Sequence, residues 1–157
     1  MGRYDFEKKR DQELKLRKIS CRITDDDLRA LMERCGRNGL KVQDLFEVFI
    51  GDLIGGSFYS GSDEGDLADQ WFDRHGFSWM DESLLKHILE RGSADEVDRF
   101  VWTWDARKVE EDSEEIRWMD EDISDILEGW KGDPTEDEIQ KLREWLKEYE
   151  ELRGEES

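Results

Sequence analysis

Hydrophobic residues recur at intervals of three and four along most of this chain, which is the spacing that places them on one face of an α-helix. Two such helices are predicted near the N-terminus. The first begins after Thr24, a residue suited to an N-cap, and ends at Gly36. The second runs from about Val42 to Ile54 and has an apolar stripe at the same spacing. That stripe consists of Val42, Leu45, Phe46, Phe49, Ile50 and Leu53.

The helical period continues after a glycine- and serine-rich stretch at 57–62, which is the predicted boundary between a head, residues 1–56, and a body, residues 57–157. Further helices are predicted over about 63–74, 82–91 and 114–128, and from Pro134-Thr135 onward. The spacing of Ser93 and Glu96 predicts a capping box. The segment that follows, 97–104, is ambiguous between a helix and a strand, because its aromatic residues also alternate.

One short segment of the head has the period of a strand. From Lys18 onward, Ile19, Cys21 and Ile23 face one way and Lys18, Ser20 and Arg22 the other. A lone strand leaves an unpaired edge, so we expect a second copy of the chain to pair with it. The predicted fold class is therefore mainly α, with a short N-terminal β-ribbon, a helical pair and an acidic helical body. Because the ribbon is expected to pair with that of a second copy, the protein is expected to be a homodimer.

Charge is divided unevenly between the two parts of the chain. Residues 1–49 hold 12 Lys/Arg and 10 Asp/Glu, whereas the other 108 residues hold 12 and 33. A near-neutral and locally basic head could contact a phosphate backbone, and the body would be repelled by one. Seven tryptophans and seven phenylalanines indicate that the chain buries a core although 43% of its residues are charged. Trp71, Trp104 and Trp145 fall on apolar helical faces and are expected to pack inside.

The acidic body permits two interpretations. Acidic side chains can simply solvate a surface, or they can imitate duplex DNA, which carries one negative charge per ~1.7 Å of its axis. In the second case the acidic surface would compete with DNA for a positively charged channel. The candidate partner-binding carboxylates are Glu110, Glu111, Asp112, Glu114, Glu115, Asp120, Glu121, Asp122 and Asp125.

The order strand, helix, glycine turn, helix over residues 15–54 resembles the ribbon-helix-helix element of small bacterial and plasmid-borne DNA-binding proteins. That resemblance implies base-reading side chains on the outer face of the ribbon. The corresponding nucleic-acid-binding candidates are Lys15, Lys18, Ser20 and Arg22. Two features depart from the family pattern: Lys41 replaces the usual Ser or Thr at the start of the second helix, and three aspartates, 25–27, follow the ribbon.

The whole chain resembles proteins of phages and mobile genetic elements of Firmicutes. The resemblance is carried by the head over 18–54, which ends in Gly51-Asp52-Leu53-Ile54, and by Ser62-Asp63-Glu64 with Gln70-Trp71-Phe72-Asp73-Arg74. This group includes anti-CRISPR proteins that act on type II effector nucleases. The resemblance implies a CRISPR effector nuclease as the partner, and a restriction enzyme is the related possibility for a DNA mimic.

Enzymatic and metal chemistry find little support in the sequence. The two histidines, His75 and His87, and the two cysteines, Cys21 and Cys35, lack the spacing of a zinc site. His87 is expected at the edge of an apolar face. No catalytic residues, no metal and no cofactor are therefore expected. With no membrane span or signal peptide recognised, the protein is expected in the cytoplasm.

The sequence thus favours a non-enzymatic inhibitor of a bacterial nucleic-acid-guided nuclease or restriction enzyme. It would act through a DNA-mimicking acidic surface, and its head could also contact DNA or guide RNA. The alternative is a ribbon-helix-helix transcription or plasmid regulator with an acidic partner-binding domain. Mutation of Lys18 and Arg22 would disable the regulator, whereas neutralising the carboxylates over 110–125 would disable the mimic.

Overall fold

The computed structural model describes residues 12–55, 64–75 and 82–154. Its helices in chain order are α1 Asp25–Arg37, α2 Val42–Ile54, α3 Glu64–Arg74, α4 Leu84–Arg91, α5 Ala94–Val109, α6 Ser113–Ile126 and α7 Glu136–Arg153. No β-strand occurs in the described ranges. None of the helices in these ranges is both long and apolar enough to cross a membrane. The prediction of a mainly α fold is confirmed.

Capping residues define the starts of several helices. At α1, the Thr24 hydroxyl accepts a hydrogen bond from the Asp27 N–H at 3.1 Å. At α7, the Thr135 hydroxyl accepts from the Glu138 N–H, and the Glu138 carboxylate accepts from the Thr135 N–H at 2.8 Å. These bonds satisfy N–H groups that the first turn of a helix leaves without intrahelical partners. Both helix starts were predicted from the sequence.

The capping box predicted at the start of α5 is wrong. Ser93 is the N-cap residue, but its side chain makes no capping hydrogen bond. The Glu96 N–H bonds to the Ser93 carbonyl instead, at 3.0 Å, and the Glu96 carboxylate lies 3.2 Å from Arg99. The Glu96 carboxylate therefore pairs with Arg99 instead of accepting a hydrogen bond from the Ser93 N–H, as it would in a capping box.

The chain divides into two compact units, Met1–Met80 and Asp81–Ser157. In the first unit, α2 packs against both α1 and α3. In the second unit, α4, α5, α6 and α7 pack together. The head–body boundary at 56/57 was inferred from composition and charge, and it stays a prediction about the functional division of the chain.

The second unit has a compact apolar core. Its fully buried members are Leu84, Ile88, Val97, Phe100, Ile139 and Leu142, and Trp104, Trp130 and Trp145 pack against them. The ambiguous segment 97–104 is part of α5. Val97, Phe100 and Thr103 are buried at intervals of three, whereas Trp102 is 59% exposed. The helical period therefore decides the structure of this segment, because three other helices cover one side of it.

The described residues of the first unit include few buried side chains. Among its described residues, only Cys35 and Gly51 are buried. Residues 14–24 are neither helix nor strand, and Ile19, on the apolar side of the predicted ribbon, is 70% exposed. Pairing of the ribbon requires a second chain, so the ribbon remains a prediction. What the single chain shows is an exposed basic segment without regular secondary structure.

Candidate functional site

Helix α6 and the turn before it contain all nine predicted partner-binding carboxylates, and the structure separates these into two groups. The first group stabilises the fold. Asp120 lies 2.6 Å from Arg107 of α5. Asp122 accepts a hydrogen bond from the Thr103 hydroxyl at 3.3 Å and lies 3.4 Å from Arg99. These contacts fasten α6 to α5 and neutralise two of the nine charges.

Two more of the predicted carboxylates act on backbone groups of the turn between α5 and α6. One Glu110 oxygen accepts hydrogen bonds from the N–H groups of Glu111 and Asp112, both at 3.0 Å. Asp112 is the N-cap of α6 and accepts from the N–H groups of Glu114 and Glu115. A carboxylate at a helix N-terminus is stabilised by the orphan N–H groups and by the helix dipole. The position of these two residues is thus explained by the fold alone.

The second group projects from the unit into solvent. We call it the acidic face, and it consists of Glu111, Glu114, Glu115, Glu121 and Asp125, all exposed. Only Glu121 has an ion-pair partner in the described ranges, Arg117 at 3.7 Å, and both of those side chains are highly exposed. An exposed pair of this kind contributes little and leaves both groups accessible to a partner.

Trp118 lies in the middle of the acidic face. Glu114, Trp118, Glu121 and Asp125 follow one another at intervals of four, three and four, which places them on one side of α6. The indole of Trp118 is 52% exposed. The sequence analysis did not place Trp118 in the core. Its spacing of four residues from Glu114 and three from Glu121 would have placed it on the acidic side of the helix. Trp118 is therefore an exposed aromatic side chain flanked by carboxylates on one side of α6.

The acidic character continues beyond the C-terminal end of α6. A cleft of about 570 Å³ opens there, and its lining includes Asp120, Asp125, Glu128 and Asp133. The described ranges contain no group of three or more His, Cys, Asp or Glu side chains arranged to hold a metal ion. Of the carboxylates that line the cleft, Glu128 and Asp133 add negative potential next to the acidic face.

A fully buried histidine lies in the core of the second unit rather than at its edge. The imidazole of His87 accepts a hydrogen bond at Nδ1 from Arg91, at 2.7 Å, because a guanidinium group can only donate. Trp130 meets the ring edge-on, with 5.4 Å between centroids. Gly129 adopts φ +82°, and a Cβ there would lie 3.2 Å from Arg91. The expectation that His87 sits at the edge of an apolar face is wrong, because the imidazole is fully buried and contacts Arg91 and Trp130.

Two ion pairs fasten α7 to α5. Arg143 lies 2.6 Å from Asp105, and Lys108 lies 2.8 Å from Glu136. The hydrogen bond and the charge of Lys108 lower the pKa of the Glu136 carboxyl from its ordinary value of 4.5. Because the folded-state pKa is the lower one, this pair stabilises the folded state above the unfolded pKa and ceases to do so as the pH falls through the folded value.

A pH titration of stability tests the Lys108–Glu136 pair. We expect Lys108→Met to lower the urea midpoint at neutral pH slightly, since the pair is exposed. The difference from the native protein should disappear as the pH falls below the ordinary pKa of a glutamate and through the lower pKa that Glu136 has in the folded state. Lys131→Met is the matched control, because Lys131 has no ion-pair partner in the described ranges. A Lys108→Met deficit that persists unchanged in acid would contradict the assignment.

The predicted nucleic-acid-binding residues lie apart from α6 in the chain. Lys15, Lys18, Ser20 and Arg22 are all exposed in segment 14–24, which is neither helix nor strand. This segment contains no acidic residue, although three aspartates begin α1 immediately after it. The segment is thus a basic strip of about ten residues in a chain that is otherwise strongly acidic.

Comparisons with protein-family models, with curated proteins and with solved structures gave no match to this chain.

Proposed function

We propose that this protein is a non-enzymatic inhibitor of a bacterial DNA-cutting nuclease, of the nucleic-acid-guided or the restriction type, and that it acts through the acidic face of α6. The observation that carries the proposal is the density of charge along this helix. By the rise of 1.5 Å per residue, α6 is about 21 Å long. It carries six acidic residues and one basic residue.

The six acidic residues and one basic residue of α6 correspond to one net negative charge per ~4 Å of helix axis, and the pairing of Asp120 and Asp122 with Arg107 and Arg99 reduces this to one per ~7 Å. One strand of duplex DNA carries one per ~3.4 Å, so the helix has about half the linear charge density of a nucleic-acid strand. A positively charged channel attracts such a surface for the same reason that it attracts DNA, because low-dielectric walls focus the field of the bound charges. The acidic face would therefore occupy the channel in place of DNA.

The distribution of ion pairs supports mimicry over simple solvation. Arg99 and Arg107 of α5 neutralise the carboxylates on the flanks of α6, while those of the acidic face have either no basic partner in the described ranges or the loose, solvent-exposed one at Glu121. A cationic partner can thus gain nearly the full Coulomb attraction of the acidic face without first breaking a buried pair.

Trp118 gives the acidic face a means of holding its partner. An indole exposed among carboxylates can pack under an arginine of the partner as a cation–π pair, with the neighbouring carboxylates accepting hydrogen bonds from the same guanidinium. Tryptophan and arginine are the residue types that most often dominate the binding energy of an interface. A channel that binds DNA contains arginines that can make these contacts.

The experiment that tests this proposal is a DNA-cleavage assay. A guide-loaded type II effector nuclease and, separately, a panel of restriction enzymes are incubated with increasing amounts of the protein before duplex DNA is added. The proposal predicts that cleavage by at least one of these nucleases stops at stoichiometric amounts and recovers at high salt. Cleavage that is unaffected at large excess in every case would overturn it.

A second candidate function rests on the basic segment 14–24. Its exposed Lys15, Lys18 and Arg22 could contact phosphates or base edges, as expected for a transcription or plasmid regulator. The substitutions Lys18→Ala and Arg22→Ala separate the two functions. They would abolish operator binding by a regulator and leave nuclease inhibition through the acidic face unchanged.

A further inference from the structure

Two tryptophans of the second unit take no part in its core. Trp102 on α5 and Trp118 on α6 are each more than half exposed, whereas Trp104, Trp130 and Trp145 pack against the core. Among the residues that the structure describes, neither exposed indole has a hydrogen-bond, ring or cation–π partner. Both indoles are therefore large apolar surfaces that remain available to a partner.

Carboxylates surround the two exposed tryptophans at the same spacing. On α5, Asp98 precedes Trp102 by four residues and Asp105 follows it by three. On α6, the two glutamates at this spacing about Trp118 belong to the acidic face. Residues three and four apart are neighbours on a helix surface, so each indole lies between two carboxylates. Asp105 pairs with Arg143 of α7, whereas the exposed Asp98 has no ion-pair partner in the described ranges.

Contacts between α5 and α6 place both tryptophans on one side of this helix pair. Asp122 accepts a hydrogen bond from Thr103 and lies 3.4 Å from Arg99, which marks one flank of the pair. Trp102 is one turn beyond Arg99 on α5. Trp118 is one turn before Asp122 on α6. Since the axes of packed helices lie about 8–10 Å apart, the two indoles are neighbours on this flank.

The charges around the two indoles favour a cationic partner. The residues one turn from Trp118 are all acidic. Arg99 is the basic residue one turn from Trp102, and it is already paired with carboxylates of both helices. A nucleic acid or an acidic membrane surface is therefore repelled. A guanidinium group can stack on an indole while it donates two hydrogen bonds to a neighbouring carboxylate. An ammonium group lacks this planar shape, so the arrangement favours arginine over lysine.

We propose that Trp102 and Asp98 form an arginine-binding position on α5 beside the one at Trp118, and that the two positions together hold two arginines of one partner protein. The inference rests on the proposed function, in that a DNA-cutting nuclease is the partner expected to present these arginines. It extends the contact surface from α6 onto α5, where the sequence predicted no partner-binding residue. The two indoles, and not charge alone, then select the partner.

Binding of two peptides of equal charge by the full chain tests the proposal. Calorimetry at low salt gives the dissociation constants of hexa-arginine and hexa-lysine, and the native protein should bind hexa-arginine at least about threefold more tightly. Trp102→Ala and Trp118→Ala should each weaken hexa-arginine binding about fivefold, since each removes a cation–π contact without changing the charge. Tyr149→Ala is the control and should bind like the native protein. Tyr149 is an exposed aromatic residue of α7, but its ring centroid already lies 5.9 Å from the Arg153 guanidinium.

Nuclear magnetic resonance of the indole N–H groups gives a second readout. The signals that disappear in the two variants identify Trp102 and Trp118, and both signals of the native protein should shift as hexa-arginine is added. Equal affinity for the two peptides would overturn the proposal, as would native-like binding by either tryptophan variant. Peptide binding through both indoles without inhibition of any nuclease would support this proposal and overturn the proposed function. Nuclease inhibition together with equal affinity for the two peptides would do the reverse.

Discussion

Replacing Phe100 with alanine is expected to unfold the second unit or bring it close to unfolding. Phe100 is completely buried at the centre of the core that α4, α5 and α7 share. Removing a buried phenylalanine side chain typically costs about 3–5 kcal/mol, because both the transfer free energy and the contacts around the new cavity are lost. A domain of this size has a total stability of only about 5–15 kcal/mol.

The same helix supplies a matched control for Phe100→Ala. Trp102 lies two residues further along α5, is larger than Phe100 and is mostly exposed. Trp102→Ala should therefore change the free energy of unfolding by less than about 1 kcal/mol. Hydrogen exchange of the α5 and α7 amides in the full chain reports on this unit alone. Similar loss of protection in the two variants would contradict the burial pattern.

Neutralising the acidic face is expected to abolish inhibition without unfolding the protein. The change is Glu111→Gln, Glu114→Gln, Glu115→Gln and Asp125→Asn, and none of these four side chains has an ion-pair partner in the described ranges. If each exposed charge contributes ~0.5–1 kcal/mol to the complex, the concentration needed for half inhibition should rise by at least about 30-fold. The cleavage assay measures this directly, and thermal unfolding verifies the fold.

A variant of equal charge change on another helix distinguishes a specific surface from general acidity. The control replaces Glu144, Glu148, Glu150 and Glu151 of α7 with glutamine, which removes the same number of charges. It should inhibit nearly as well as the native protein, because its α6 carboxylates are intact. Equal loss of inhibition in both variants would show that net charge alone matters, which is the result expected of a solvated acidic surface.

The helices were largely predictable from the sequence because local signals define them. Helix α2 has the predicted bounds, since an uninterrupted apolar stripe precedes Gly55, a residue in the left-handed conformation. Thr135 begins α7 by hydrogen bonds within one turn. The segment 97–104 could not be assigned, because helical and strand periods both fitted and only packing against other helices decides between them.

The candidate site was predictable only in part. The sequence identified α6 as the acidic helix, but it did not separate Asp120 and Asp122 from Glu114 and Asp125. That distinction depends on Arg99 and Arg107, which lie 13 to 23 residues away in the chain and come close only when α5 packs on α6. The burial of His87 escaped prediction for a similar reason, since the Trp130 that covers it follows α6.

Competition for DNA is the most direct test of the central claim. A labelled DNA duplex is bound to the catalytically inactive nuclease that responds in the cleavage assay, and the protein is titrated in while the anisotropy of the label is followed. If the acidic face occupies the DNA channel, the DNA should be released, and its apparent Kd should rise in proportion to the concentration of the protein. A ternary complex, in which the protein and the DNA are bound together with unchanged affinities, would contradict the account.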